Sequence, residues 1–205
     1  MLATKEILNN LKNPDMIARG LKVITYTILG KDMPLETHDR YILEKKIIPY
    51  FVHQQEFTKV LFVGCGSYTK HYEKWFKHKK YWTIDINPMK KIYGAKDHII
   101  GSMSDLNLHF QENYLDLIIC NGVFGWGLND RNDVEKAFGT CYQCLRTGGV
   151  LVIGWDDVPE KKPFPLEACE SLNQFKPYFF PPLSTSQYTN PTDKSDKHTF
   201  NFYVK

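Results

Sequence analysis

Hydrophobic positions along the chain follow two patterns, and the change-over falls near residue 55. Before it the spacing is helical. Leu2, Ile7, Leu8 and Leu11 predict a short amphipathic helix that ends near Asn13-Pro14. Met16, Leu21, Val23, Ile24 and Ile28 predict a second, stopped by Gly30, and Pro34 to His38 reads as a break. Tyr41, Ile42, Ile47, Ile48, Phe51 and Val52 then predict a third.

From Lys59 onward, short apolar runs alternate with amphipathic segments. The runs are VLFV (60–63), YWTID (81–85), HII (98–100), LDLIIC (115–120) and VLVIGW (150–155), with helices expected at 69–78, 88–94 and 131–146. This alternation is the pattern of βαβ units and a parallel sheet. Past Asp157 come a turn rich in proline (Pro159, Pro163, Pro165), a helix expected at 166–175 and an apolar stretch, Tyr178 to Leu183, broken by proline. Ser184 to Lys197 is polar and is expected to be a loop; HTFNFYV (198–204) alternates as a final strand. The organisation expected is a helical lid or extension over 1–55 and a cofactor-binding α/β domain over 56–205.

Composition narrows the class without naming it. The 205 residues are 42% hydrophobic and 24% charged, enough apolar material for one sizeable core. No run approaches the ~18 apolar residues of a membrane span, and the N-terminus lacks the apolar stretch of a secretory signal, so a cytoplasmic protein is expected. The net charge of +3 is mild, and only four of the 26 basic residues are Arg, which disfavours nucleic-acid reading by bidentate contacts. Eight lysines between Lys70 and Lys96 form one local excess, read as a solvated face or, alternatively, as a phosphate-facing patch. Five scattered cysteines include a C-x-x-C at Cys141 and Cys144, but it sits inside an expected helix with no second ligand pair, so core packing is the better reading.

The segment that carries chemistry is Val60-Leu61-Phe62-Val63-Gly64-Cys65-Gly66-Ser67, a buried strand running straight into a Gly-x-Gly turn. Glycine is needed where a ligand must approach the backbone closely, although a tight turn without ligand also explains the pair. Nineteen residues after Gly66, at the end of the next strand, Asp85 is placed to accept hydrogen bonds from two ribose hydroxyls. Together the two features favour a nucleoside-containing ligand. A dinucleotide motif requires a third glycine, and Thr69 stands in that position.

From Lys59 to Trp155, and again in HTFNFYV, the chain resembles the class I S-adenosylmethionine-dependent methyltransferases. VLFVGCGSYT resembles the glycine loop that holds the cofactor's amino-acid moiety, which implies roles for Gly64, Cys65, Gly66 and Tyr68. Asp85 matches the ribose-binding acid, with Ile86 and Met89 on the adenine side. HIIGSMSDL resembles the stretch that lines the adenine pocket, with Ser102 in place of the usual acid, Met103 in the apolar slot and Asp105 a few residues on. YLDLIICNGVF resembles the fourth strand, placing Asn121, Gly122 and Val123 at the cofactor's edge, and LRTGGVLVIGW resembles the turn into the fifth. The resemblance implies an α/β fold, a doubly wound, mostly parallel seven-stranded sheet with an N-terminal helical extension. It also implies S-adenosyl-L-methionine as cofactor and S-adenosyl-L-homocysteine as product.

Methyl transfer needs an aligned nucleophile and, for an alcohol, a general base. Ligands of open α/β sheets bind at the carboxyl ends of the strands, which shortlists Asn121, Phe124, Trp126, Trp155, Asp156 and Asp157. Asp156 is the candidate base or substrate-orienting carboxylate, with Asn121 beside it; Phe124 to Gly127 reads as an aromatic wall or as core packing. Among the histidines, His38, His53 and His71 are the ones within reach of a site built from the N-terminal helices and the glycine loop, with a surface or core-edge position the better reading of each. Asn121-Gly122-Val123-Phe124 lacks the proline pair of the family's branches that methylate exocyclic amino groups. The expected acceptor is a small aromatic or apolar molecule, methylated on O or N. Three alternatives stand beside it: a cofactor-binding partner protein without catalysis, an RNA methyltransferase using the lysine-rich surface, and an NAD-dependent oxidoreductase.

Overall fold

The computed structural model describes residues 14–29, 31–35, 37–190 and 197–205. The helix expected over Leu2–Leu11 lies outside them. Helix α1 spans Pro14–Ile28, and α2 (His38–Ile42) passes through a π-helical turn, Leu43–Ile47, into α3 (Ile48–His53). Pro49 explains the widened turn: it has no N–H to donate and its ring crowds the carbonyl four residues back.

The sheet is built from β1 (Lys59–Val63), β2 (Lys80–Asp85), β3 (Asp97–Ile100), β4 (Leu115–Asn121), β5 (Leu145–Asp156), β6 (Lys176–Pro177), β7 (Gln187–Thr189) and β8 (His198–Val204). Its order is β3-β2-β1-β4-β5-β8-β6, and β7 also pairs with β8. Strands β1 to β5 are mutually parallel where they pair, and β8 is antiparallel to β5. The doubly wound, mostly parallel architecture is as expected. The strand count is eight rather than seven, because two short segments, β6 and β7, share the free edge of β8. The second of these lies in the stretch expected to be a loop: Gln187-Tyr188-Thr189 has backbone groups free to extend an exposed edge.

The central strands are apolar on both sides because both faces of the sheet are covered. Leu61, Ile118, Leu151 and Ile153 face one core together with Val134, Ala137, Phe138, Cys141 and Cys144. These last five form the buried stripe of α5 (Arg131–Cys144), a helix capped by the Asp130 carboxylate, and the single turn Tyr72–Trp75 before it is α4. Cys141 and Cys144 are fully buried on its stripe, as core packing requires.

The opposite face buries Val60, Phe62, Leu117, Ile119, Val150 and Val152 against Ile42, Leu43, Ile47 and Phe51. The helical segment 38–53, placed by the sequence in the N-terminal extension, therefore fills this core. The helices expected at 69–78, 88–94 and 166–175 are instead 3-10 turns, with α4 as the single α-helical turn among them. These segments are short, so an α-helix gains too few hydrogen bonds to repay its nucleation.

At the amino ends of the strands, a register shift in β4 turns Asp116 inward. Its carboxylate accepts from the backbone N–H groups of Thr58 (2.8 Å) and Lys59 (2.8 Å), the Thr58 hydroxyl (2.9 Å) and Arg146 Nε (2.7 Å). Burial pushes this carboxyl up, but the Arg146, Thr58 and Lys59 bonds outweigh it and hold it below the usual range. The asymmetry of the sheet begins there: the amino edge is tied shut, and the carboxyl edge is open.

Candidate functional site

At the carboxyl edge, the turn after β1 is shaped by Gly64, whose φ is +84°. A Cβ there would lie 2.6 Å from Val123 Cγ2 and 3.1 Å from the Asn121 carbonyl, so only glycine brings the loop this close to β4. The Cys65 N–H donates to Asp85 Oδ2 (2.7 Å) and the Asn87 N–H donates to Oδ1 (2.8 Å). Each carboxylate oxygen keeps a further acceptor position, so Asp85 braces the loop and can still take two hydroxyls. The Thr69 side chain closes the turn at 3.3 Å from the Gly66 N–H and 2.9 Å from the carbonyls of Gly66 and Tyr93. Beyond β2, Ile86 (72% exposed) and Met89 (49% exposed) present apolar surface beside Asp85.

One expected cofactor contact is not at this mouth. Met103 is buried, with its thioether 3.7 Å from Cys120 Sγ and its carbonyl bonded by Thr140, so it belongs to the core. Its displacement follows from Ser102, which caps the next 3-10 turn by accepting the Ser104 N–H (3.1 Å) and starts it so that Met103 points inward. Asp105 is drawn outward to Lys136 at 2.6 Å.

A row of polar side chains crosses the floor of the edge. Tyr68 lies 3.4 Å from the Asn121 amide nitrogen, and Asn121 Oδ1 lies 3.2 Å from His198 Nε2. His198 Nδ1 is 2.7 Å from Asp156 Oδ1. Asp156 Oδ2 accepts from Trp126 Nε1 (3.0 Å) and Lys161 Nζ (3.1 Å). Burial works to raise the Asp156 carboxyl, but the His198 hydrogen bond and charge, Lys161 and Trp126 prevail and bring it to about 2. Asn121, His198 and Asp156 are all buried, whereas Trp126 is 59% exposed and its ring lies 4.5 Å under Lys161 Nζ.

Asn121 and Asp156 are thus brought together, and the residue that joins them, His198, was not among those expected. Its position at the head of β8 is set by the antiparallel pairing Asp156↔His198. The three histidines read from the sequence as surface or core-edge residues have other partners. His38 stacks with Tyr188, His53 Nδ1 lies 2.6 Å from the Pro49 carbonyl, and His71 accepts the Met33 N–H at 3.4 Å. Of the aromatic wall, Phe124 packs in the core against Trp155, and Trp126 alone stands in the mouth. Trp155 is buried and bonds Asn201, and Asp157 pairs with Lys162. Behind Tyr68, Arg40 stacks on its ring at 4.8 Å and pairs with buried Glu44, which also accepts the Tyr72 hydroxyl at 2.9 Å. Burial pushes the Glu44 carboxyl up, and His71, Arg40 and Tyr72 together bring it below the usual range.

The strand order, the Gly64 turn and the Asp85 brace coincide with a sequence match: residues 61–153 match the family described as a methyltransferase domain. Residues 61–153 thus carry a methyltransferase domain. No curated protein matches the chain. Among solved structures, the N-methyltransferase NodS from Bradyrhizobium japonicum is 14% identical with a TM-score of 0.62, over 83% of this chain and 99% of its own. A TehB-like SAM-dependent methyltransferase from Corynebacterium glutamicum is 15% identical with a TM-score of 0.57, over 94% and 100%. An rRNA methylase from Streptococcus thermophilus is 12% identical with a TM-score of 0.53, over 84% and 99%. At such identities these likenesses speak for the fold.

S-adenosyl-L-methionine is the cofactor that the resemblance implies, and a structure of NodS holds S-adenosyl-l-homocysteine. The carboxyl edge fits such a group. The Gly64 turn seats the loop close against β4, Asp85 retains acceptor capacity, and Ile86 and Met89 offer apolar cover for a base. Among the described residues no cluster of His, Cys, Asp and Glu has the arrangement of a metal site, and no helix is long and apolar enough to cross a membrane.

Proposed function

We propose that this methyltransferase methylates O or N on a small aromatic or apolar molecule. One observation carries the reading. Trp126 stands exposed in the mouth, and its indole N–H is anchored on the buried Asp156, so a flat apolar wall adjoins a polar floor. A small acceptor finds there both a surface to bury against and groups to orient its nucleophile.

In this reading the backbone from Gly64 to Gly66, with Tyr68, receives the cofactor's amino-acid moiety and Asp85 receives the ribose hydroxyls. Ile86 and Met89 cover the adenine, Ser102 flanks it, and Asn121 and Gly122 line the edge nearest the sulfur. The bound cofactor supplies an activated methyl group. The chain supplies alignment and exclusion of water, an effect of about 7–11 kcal/mol where both reactants are held in line. Segment 38–53 contributes by holding Tyr68 from behind through Arg40.

RNA is the second reading. Lys77, Lys79, Lys80 and Lys96 surround a surface cavity of about 430 Å³. That cavity opens at the start of β2, five residues and about 16 Å from Asp85 at its end. Lys79 is committed to the carbonyls of Gln54 and Phe57, both at 2.7 Å, and Lys70 to that of Gly94 at 2.9 Å. Four of the eight lysines thus gather at the edge opposite the reacting one, and Lys70 and Lys79 serve the fold, which favours the small acceptor.

Radiolabelled S-adenosyl-L-methionine, supplied with a small-metabolite extract and with total RNA in parallel, tests this. Label is expected in the small-molecule fraction. Label in RNA, with retention on RNA that weakens steeply as salt rises, would overturn the small-acceptor reading.

A further inference from the structure

We propose that His198 accepts the proton that the methyl acceptor must lose, with Asp156 as its positioning residue. This assigns the site to hydroxyls, phenols and amines, nucleophiles that need deprotonation. It rests on the methyl-transfer reading above and goes beyond it by naming the base and the class of acceptor.

The geometry excludes the simpler assignment of the base to Asp156. Its two oxygens already receive His198 Nδ1, Trp126 Nε1 and Lys161 Nζ at 2.7, 3.0 and 3.1 Å. Its carboxyl is held down to about 2, and a carboxylate stabilised to that extent takes a proton poorly near neutrality. A buried carboxylate on the Nδ1 side of an imidazole performs a different task. It fixes the ring's orientation, selects the tautomer with a proton on Nδ1, and stabilises the imidazolium that forms when Nε2 is protonated.

The rest of the surroundings agree. The Phe200 ring packs edge-on against the imidazole at 4.8 Å and keeps it from turning. Nε2 is thereby aimed at Asn121, at the end of β4, on the side where the Gly64 turn approaches. Gly154 makes this possible: a Cβ there would lie 2.0 Å from Asn121 Oδ1. The two ends of the Asn121 amide have the same shape and opposite hydrogen-bonding character. With its oxygen toward His198 it suits a protonated Nε2. A bare Nε2 has a single lone pair, so the acceptor's proton reaches it once the amide turns aside toward the Tyr68 hydroxyl. The groups that set the ring's charge are Asp156 directly, and Lys161 through Asp156.

The proton balance is simple. The acceptor's O–H or N–H proton passes to His198 Nε2, the electron pair so freed bonds to the methyl carbon, and the C–S pair stays on sulfur, leaving a neutral thioether. Asp156 then faces an imidazolium, which returns its proton to solvent when the product leaves.

The test begins on the ring itself. In protein labelled with 15N-histidine and saturated with S-adenosyl-L-homocysteine, the His198 nitrogens are followed by NMR from pH 6 to 9. Nδ1 is expected to carry a proton throughout, with Nε2 bare at the upper end. In Asp156→Asn the preference for the proton on Nδ1 should weaken, because the carboxylate that selects it is gone. A ring that stays doubly protonated over the whole range, or is bare on Nδ1, overturns the proposal. The chemistry is then compared with two probes of similar shape, phenol and 4-nitrothiophenol, the second already ionised at neutral pH. His198→Gln should lower kcat for phenol by about 10²–10⁴ and for the thiolate by only a few-fold. Equal losses on both probes would make His198 a scaffold residue and overturn its role as base. Calorimetry with S-adenosyl-L-homocysteine separates the layers. Binding by the unaltered protein and by His198→Gln within two-fold is expected, and no binding by the unaltered protein would overturn the methyl-transfer reading beneath.

Discussion

Asp116 and Asp156 are both buried carboxylates, at opposite edges of the same sheet, and both are held below the usual carboxyl range. By burial and titration alone they are twins. Their partners differ. Asp116 is met by two backbone N–H groups, a threonine hydroxyl and Arg146, none of which exchanges a proton near neutrality. Asp156 is met by an imidazole, by the indole of an exposed tryptophan and by a lysine. The first arrangement locks strands together; the second passes a charge state toward an open mouth. A perturbed carboxyl is thus weak evidence of function until the chemistry of its partners is known.

The comparison can be broken most forcefully at the amino edge. Asp116→Ala leaves Arg146 and two backbone N–H groups without their acceptor, so a stability loss of about 3 kcal/mol is expected in urea unfolding. Turnover per folded molecule should be unchanged, and a specific loss of turnover would erase the distinction. Asp156→Asn keeps the shape and removes the charge that supports His198. Turnover on a phenol is expected to fall about 100-fold, with stability lowered by less than in Asp116→Ala. A larger stability loss at Asp156 would reverse the two roles.

Acid unfolding sharpens the same contrast. Asp156 titrates near 3.9 unfolded and at about 2 folded, so its stabilisation is present above pH ~4 and is lost as the pH falls toward 2. The loss amounts to about 2 kcal/mol at 1.36 kcal/mol per pH unit. The acid limb of the stability curve should be shallower in Asp156→Asn by that amount; an unchanged limb would show that the pair forms no such bond in solution. The smallest effect is expected from Gly154→Ala. Its Cβ would meet Asn121 Oδ1 at 2.0 Å and Phe200 Cε1 at 2.8 Å, costing about 1–2 kcal/mol and uncoupling Asn121 from His198.

Much of the fold was legible in the sequence because its signals are local. The runs 60–63, 81–85, 98–100, 115–120, 150–155 and 198–204 all lie within observed strands, and the α5 stripe follows from its spacing. Gly64 and Asp85 were legible for a related reason: a strand end fixes where the next residue must point. His198 was not, since its role depends on the register of an antiparallel pair whose members are 42 residues apart. The one available signal was HTFNFYV itself, a strand whose antiparallel return along VLVIGWD sets its first residue against the last. Met103 was misplaced because the Ser102 cap, a matter of one side-chain bond, decides whether the next residue faces the cleft or the core. The short β7 escaped because a polar tripeptide pairs only where an edge is already waiting for it.

The central claim is that the carboxyl edge divides its labour, Asp85 holding the cofactor and the Asp156–His198 pair serving the acceptor. Titrating S-adenosyl-L-homocysteine calorimetrically into the unaltered protein, Asp85→Ala and Asp156→Asn tests it most directly. The account predicts binding by the unaltered protein, affinity weakened at least about ten-fold in Asp85→Ala, and affinity within two-fold of the original in Asp156→Asn. Undiminished binding by Asp85→Ala, or an equal loss in both variants, would contradict it.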